Sequence, residues 1–174
     1  DPAGTRRLVL VNAVGATSEG WLDELHERAL ERLDDPGRAA LEHADDALAA
    51  HAAAGGEPGD PALLSDYQAA IYPAWFADRE LAPLFNPPRS TSRTGAAVSA
   101  RLRHTGYDWR ETVRGVVAPT LVIHGEGDLL PPAIARATAA LLGAELALIP
   151  GAGHMPFWET PARFFALVEE FLRR

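Results

Sequence analysis

Two short segments of this 174-residue chain carry the residue types for proton-relay chemistry. One is Gly125-Glu126-Gly127-Asp128-Leu129-Leu130-Pro131-Pro132 and the other is Pro150-Gly151-Ala152-Gly153-His154-Met155-Pro156. Each follows an apolar run of strand size, so Asp128 and His154 are expected in loops beyond the C-terminal ends of two strands, where open parallel sheets place their ligands. A carboxylate bound to one imidazole nitrogen fixes the tautomer and orientation of the ring. The other nitrogen is then free to take a proton from a nucleophile. Glycines in both loops let the chain turn sharply and let the imidazole stand clear of the backbone. Separately, each residue has an ordinary explanation: Asp caps turns through backbone amides, and a histidine beyond a strand is often a surface residue. Their shared position at one sheet edge makes an Asp128–His154 pair the economical reading.

The elements that must position this pair follow from periodicity. Arg6–Asn12, Pro119–Gly125 and Glu145–Ile149 read as strands, the first two continuously apolar as in a parallel sheet covered on both faces. Pro132–Leu142 reads as a helix stopped at Gly143, and Thr160-Pro161 as the cap of a final amphipathic helix to Arg174. The resulting strand–helix–strand–helix order implies a parallel sheet. More than a hundred residues separate the first two strands, whereas a βαβ crossover needs a dozen or more. That stretch is therefore an inserted helical subdomain. Its expected helices run from Trp21 to Leu33, from Asp35-Pro36 to Gly55-Gly56, from Asp60-Pro61 onward, and from Ser92 to His104 after a break at Asn86-Pro87-Pro88. His51–Gly59 is the best linker candidate. The fold class is α/β: about three parallel strands with flanking helices, carrying an all-helical insertion. The expected division is 1–12 as a core strand, 13–115 as a helical lid and 116–174 as a core βαβα segment.

Composition narrows the partners. The net charge is −8 with no basic cluster, so nucleic acid and anionic membranes are not expected. No apolar run reaches transmembrane length. There is no cysteine, which removes disulfides, thiolate metal sites and a cysteine nucleophile. No His/Asp/Glu cluster has metal-ligand spacing, and neither metal nor cofactor is expected. The start, Asp1-Pro2-Ala3-Gly4, has no signal-peptide pattern, and a cytoplasmic location is the expectation.

The spacing of Gly125, Asp128 and Pro132, followed 26 residues later by the G-x-G-H of Gly151, Gly153 and His154, resembles the C-terminal half of the α/β-hydrolase superfamily. Chain order in that fold is nucleophile, acid, histidine. Tyr72-Pro73-Ala74-Trp75-Phe76-Ala77-Asp78, with Tyr107-Asp108 ahead of Val116–Thr120, is similar to the lidded proline iminopeptidase branch. The resemblance implies a serine hydrolase in which Asp128 orients His154. It also implies that acidic lid residues bind the free α-amine of a short peptide. The stretch from Glu19 to Asp66 holds thirteen acids against three Arg, which is equally the composition of a solvated helical surface.

The chain departs from that family at the nucleophile. No Gly-x-Ser-x-Gly elbow is present, and Ala16-Thr17-Ser18-Glu19-Gly20 is the nearest approximation. An elbow serine lies directly between a strand and a helix. Ser18 lies several residues past Asn12 and reads instead as the cap of the helix near Trp21. The nucleophile is expected to lie outside this chain. Glu126 is the alternative acid. His26 and His43 read as solvated or paired, and His104 and His124 as structural, with His124 near enough to the acid loop to line a pocket. Trp21, Tyr72, Trp75, Phe76 and Trp109 are candidate pocket walls.

Two functions compete. One is acyl-transfer hydrolysis of a small-molecule or short-peptide substrate, iminopeptidase-like or carboxylesterase-like. A dehalogenase or epoxide hydrolase would need an aspartate nucleophile. The other is a non-catalytic lid or dimerisation module. In either case the Arg6–Asn12 edge is expected to pair with a missing N-terminal half or with a second copy.

Overall fold

The computed structural model describes residues 4–57, 60–85, 94–95, 98, 101–102 and 105–174. Three parallel strands, β1 (Leu8–Val11), β2 (Thr120–Gly125) and β3 (Glu145–Ile149), form one sheet in that order. Leu8 stands opposite Thr120 and Val11 opposite Ile123, while Leu121 faces Glu145 and Gly125 faces Ile149. Every residue of the central strand β2 is buried. Those of β1 are only half-buried, short of the two-face burial its sequence suggests. The reason is position: β1 lies at the end of the strand order, so its outer edge has no neighbouring strand among the described residues.

The helix α5 (Pro132–Leu142) covers one face of the sheet, with Ala135 and Ala139 against Val122. It ends where Gly143 turns left-handed at φ 59, a conformation that costs a residue with a Cβ about 1–2 kcal/mol. The helix α7 (Pro161–Arg173) covers the other face, with Phe164, Leu167, Val168 and Phe171 on one side of a 3.6-residue period. Thr160 does not cap α7 through its side chain; its hydroxyl donates to Pro156 O at 3.2 Å. Between β3 and α7, residues Pro156–Glu159 form the short helix α6, which the sequence reading missed.

The segment between β1 and β2 contains α1 (Leu25–Arg32), α2 (Asp35–Ala53), α3 (Pro61–Ile71), two 3-10 turns (Tyr72–Trp75 and Arg79–Leu84) and α4 (Arg110–Arg114). The cap of α2 is Asp34, one residue before the expected Asp35, and its carboxylate accepts Gly37 N–H. Asp60 caps α3 by accepting the amides of Ala62 and Leu63. The first helix begins four residues later than its periodicity suggests, because Trp21 is committed elsewhere. Its indole donates to Thr17 O, and its ring packs with Leu130 and Ile134. The fourth expected helix, Ser92–His104, falls largely on residues outside those described, as does the expected break at Asn86-Pro87-Pro88.

Ser18 is not a helix cap either. Its hydroxyl accepts Tyr107 N–H at 3.0 Å, its own amide donates to Tyr107 O, and Thr17 bridges Asp108 in antiparallel fashion. The two ends of the inserted segment are thus tied together at its base. Its apolar core is built on Ala29, Leu33, Leu41, Ile71 and Ala74, and Leu129 enters that cluster from the acid loop. Burying one such leucine contributes about 1.5–3 kcal/mol, so the acid loop is held by the insertion as well as by the sheet. Among the described residues no helix is long and apolar enough to cross a membrane.

Candidate active site

The loops after β2 and β3 bring Asp128 and His154 together across 26 residues of sequence. His154 Nδ1 lies 3.0 Å from Asp128 Oδ2 and 3.2 Å from Oδ1. An ionised carboxylate only accepts hydrogen bonds, so the facing nitrogen carries the proton and Nε2 is left as the basic atom. Asp128 is 1% exposed, whereas the His154 side chain keeps 28% of its surface. A buried acid behind a half-open imidazole strengthens their interaction, because the surroundings of the carboxylate screen poorly. Asp128 Oδ1 also accepts Leu130 N–H at 3.1 Å, the turn-forming role that its sequence context allows. Both readings of Asp128 therefore hold in one residue.

Glu126, the alternative acid, is exposed, and the carboxylate facing His154 Nδ1 is that of Asp128. His124 is fully buried behind the acid; its Nε2 donates to Leu130 O at 3.0 Å and lies 3.7 Å from Asp128 Oδ2. Through these two contacts it holds the acid loop, as a structural histidine would. His26 lies 3.0 Å from Asp45 and His43 is exposed, in keeping with paired and solvated histidines. His104 lies outside the described residues. None of the thirteen acids from Glu19 to Asp66 is buried, and the two partly covered ones are already engaged, Asp45 by His26 and Asp60 as a helix cap. The solvated-surface reading of that stretch is the one the structure bears out.

Several groups that the sequence did not single out hold the pair in place. Arg28 donates to Leu129 O at 2.9 Å, and Arg32 donates to Gly127 O and, at 3.0 Å, to Phe76 O. Burial lowers the pKa of Arg32 from its ordinary value, and the nearby Asp128 charge opposes that shift. Asn12, at the end of β1, adopts a left-handed φ of 43; its side chain accepts Gly125 N–H at 3.0 Å and donates to Gly153 O at 2.8 Å. One amide thereby joins the C-terminal ends of β1 and β2 to the histidine loop.

The loop glycines serve close packing as well as the expected sharp turning. Only Gly151, at φ 72, is left-handed in these two loops. A Cβ on Gly153 would lie 2.5 Å from Ala77 N and 2.8 Å from Phe76 C, and one on Gly127 would lie 2.8 Å from the Ala77 Cβ. Two of the glycines are there because the backbone of Trp75–Ala77 passes directly over them.

Among the aromatic candidates, Trp75 reaches the site, its ring 4.6 Å from the imidazole at a tilt of 53°. Trp21 and Phe76 are buried core residues, Tyr72 packs edge-on against Phe76, and Trp109 stacks on Tyr107. Beside His154, at the C-terminal end of β1, lies an open cleft of about 560 Å³ walled by Val11, Asn12, Phe157, Phe164 and Phe165. Phe157 and Phe165 remain partly exposed there.

A parallel sheet with an acid and a histidine joined beyond its strand ends defines an α/β-type site. The chain belongs to the alpha/beta hydrolase family, whose family model matches residues 3–167. Over 68 residues it is 40% identical to the pimeloyl-[acyl-carrier protein] methyl ester esterase of Nitrosospira multiformis, covering 38% of this chain and 26% of that protein. Its fold is similar to that of MGS-M2, an alpha/beta hydrolase enzyme from a Medee basin deep-sea metagenome library (TM-score 0.55, 24% identity, 97% of this chain and 56% of the other). It is likewise similar to the proline iminopeptidase of Mycobacterium smegmatis (TM-score 0.54, 22% identity, 99% of this chain and 58% of the other). The chain thus spans little more than half the length of these two solved structures.

Proposed function

We propose that residues 1–174 supply the acid and the histidine of an acyl-transfer hydrolase acting on a small-molecule or short-peptide substrate, with 13–115 as its lid. The observation that carries this reading is the buried Asp128 carboxylate 3.0 Å from His154 Nδ1, with the imidazole open on its other side. In this mechanism a hydroxyl nucleophile attacks the substrate carbonyl while His154 Nε2 takes its proton. Asp128 stabilises the imidazolium that forms, and His154 returns the proton to the leaving group. Ser18 is a poor candidate for the nucleophile, because its hydroxyl is engaged by the backbone of Tyr107. The nucleophile therefore comes from outside this chain, on a segment that pairs with the free edge of β1 and fills the cleft beside Val11 and Phe165. The missing N-terminal half of the hydrolase is the proposed occupant, and a second copy is the alternative.

Within this class the resemblance of Tyr72–Asp78 to iminopeptidase lids favours an aminopeptidase. An ester substrate is the second reading, favoured by the 40% identity to an esterase. The exposed acids of the lid give the amine-binding idea no support. A panel of chromogenic proline amides, alanine amides and short-chain esters, run on the complete protein, separates the two. In every case His154→Ala abolishes turnover with the fold intact by circular dichroism, and turnover within tenfold of wild type removes His154 from the mechanism. The 174-residue chain alone should not react with a fluorophosphonate probe. Labelling at Ser18 would overturn the proposed placement of the nucleophile.

A further inference from the structure

Every backbone group of the Trp75–Ala77 strap that is described in a hydrogen bond to another segment points at the acid and histidine loops or their supports. Trp75 O accepts His154 N–H at 2.7 Å, Phe76 O accepts Arg32, and Ala77 N–H donates to Glu159 Oε2 at 2.8 Å. The other oxygen of the same carboxylate, Oε1, accepts Gly153 N–H at 2.8 Å and Met155 N–H at 3.1 Å, the amides on either side of His154. One half-buried side chain thus grips the strap with one oxygen and both flanks of the histidine with the other. Trp75 completes the junction by packing its ring on the imidazole.

We infer that Glu159 is a positioning residue that couples the placement of the inserted helical segment to the placement of His154. The physical basis is that amide-to-carboxylate bonds are about twice as strong as neutral ones and leave little slack at 2.8–3.1 Å. Gly153 adds a second constraint: with no Cβ, its backbone packs directly on the strap, leaving no room for a side chain between them. A strap that lifts away therefore removes a hydrogen-bond partner from His154 N–H and an aromatic wall from its ring at once. The significance of this coupling for turnover rests on the hydrolase reading above; the coupling itself does not.

The test is residue-resolved amide exchange, together with the pH titration of the His154 imidazole, in the complete protein. Glu159→Ala is expected to speed exchange at Ala77, Gly153 and Met155 by tenfold or more. The decisive amide is that of His154, which bonds to Trp75 O and not to Glu159. Coupling requires it to accelerate by a similar factor, and requires the imidazole titration midpoint to move. Should Glu159→Ala fail to fold, Glu159→Gln keeps the size but can accept at one oxygen only. It is expected to show the same pattern at smaller amplitude. If only the three direct partners accelerate, with His154 unchanged, Glu159 is a loop cap and the inference is overturned. Equal acceleration of the β2 amides would report general loosening and overturn it as well. Because exchange is read without turnover, absence of hydrolysis across the whole panel would sink the hydrolase reading while leaving the coupling measurable.

Discussion

Replacing Asp128 with Asn tests the pair most directly, because it removes the charge and keeps the shape. At the observed 3.0 Å, a full imidazolium–carboxylate interaction at an effective dielectric of about 20 is about 5.5 kcal/mol. That figure applies to the charged histidine of the transition state. The neutral ring of the resting enzyme loses a hydrogen bond of roughly 1.5–3 kcal/mol, felt in both states. The difference that survives in the barrier is therefore about 2.5–4 kcal/mol, or two to three decades at 1.36 kcal/mol per decade. An Asn side chain also presents an amide N–H that would face the protonated Nδ1, and the opposite tautomer leaves no basic nitrogen for the nucleophile. The assay is kcat for the complete protein on its best panel substrate, with circular dichroism and a urea midpoint to show that the fold persists. His124, 3.7 Å from the same carboxylate, is a built-in control for mere disturbance of the acid loop. His124→Gln removes a buried ring yet leaves Asp128 facing His154, and should cost kcat far less than Asp128→Asn. A kcat for Asp128→Asn within tenfold of wild type, or an equal loss in His124→Gln, would refute the reasoning.

Three further outcomes follow from packing, backbone geometry and ion pairing. Leu129→Ala, which empties a fully buried site shared by the acid loop and the insertion core, should cost about 2–5 kcal/mol in urea unfolding. Gly153→Ala should destabilise by about 1–3 kcal/mol through collision with the Trp75–Ala77 backbone. Gly151→Ala, whose Cβ would meet nothing within 4 Å, should cost only the left-handed strain of roughly 1–2 kcal/mol, and thermal melting checks the loss in each variant. Finally, the side-chain hydrogen bond from Arg110 lowers the Asp108 carboxyl from 3.8 to about 2. Because the folded value is depressed, that pairing favours the fold above pH 4 and fades as pH falls from about 4 towards 2. Arg110→Ala should return the Asp108 titration, read by carboxyl carbon NMR shifts, towards its ordinary value.

Much of this site can be read from sequence because its two candidate residues lie in local motifs. Apolar runs of strand length followed by glycine-rich loops place Asp128 and His154 at equivalent sheet positions. The same local logic finds the caps at Asp60 and Gly143, the helix after Pro132 and the helical character of the segment between β1 and β2. It misplaces Ser18, Thr160 and the start of α1, where a capping residue type is present but its side chain or its neighbour has a different partner. Ser18 binds Tyr107 across 89 residues, and no periodicity within one helix reports such a contact.

What only the tertiary structure decides is the machinery around the pair. Asn12 reaches Gly153 across 141 residues, and Glu159 reaches Ala77 across 82. Neither residue stands in a motif that marks it, since an Asn after a strand and a Glu in a short helix are ordinary. The glycines show the same division. Their presence in the loops is legible, but their purpose is not, because close passage of a second backbone leaves no trace in the chain that is passed over. Composition and spacing determine which residues can do the chemistry and which elements carry them. The distances that make Asp128 and His154 one unit, and join that unit to the inserted helices, arise from packing between segments far apart in sequence.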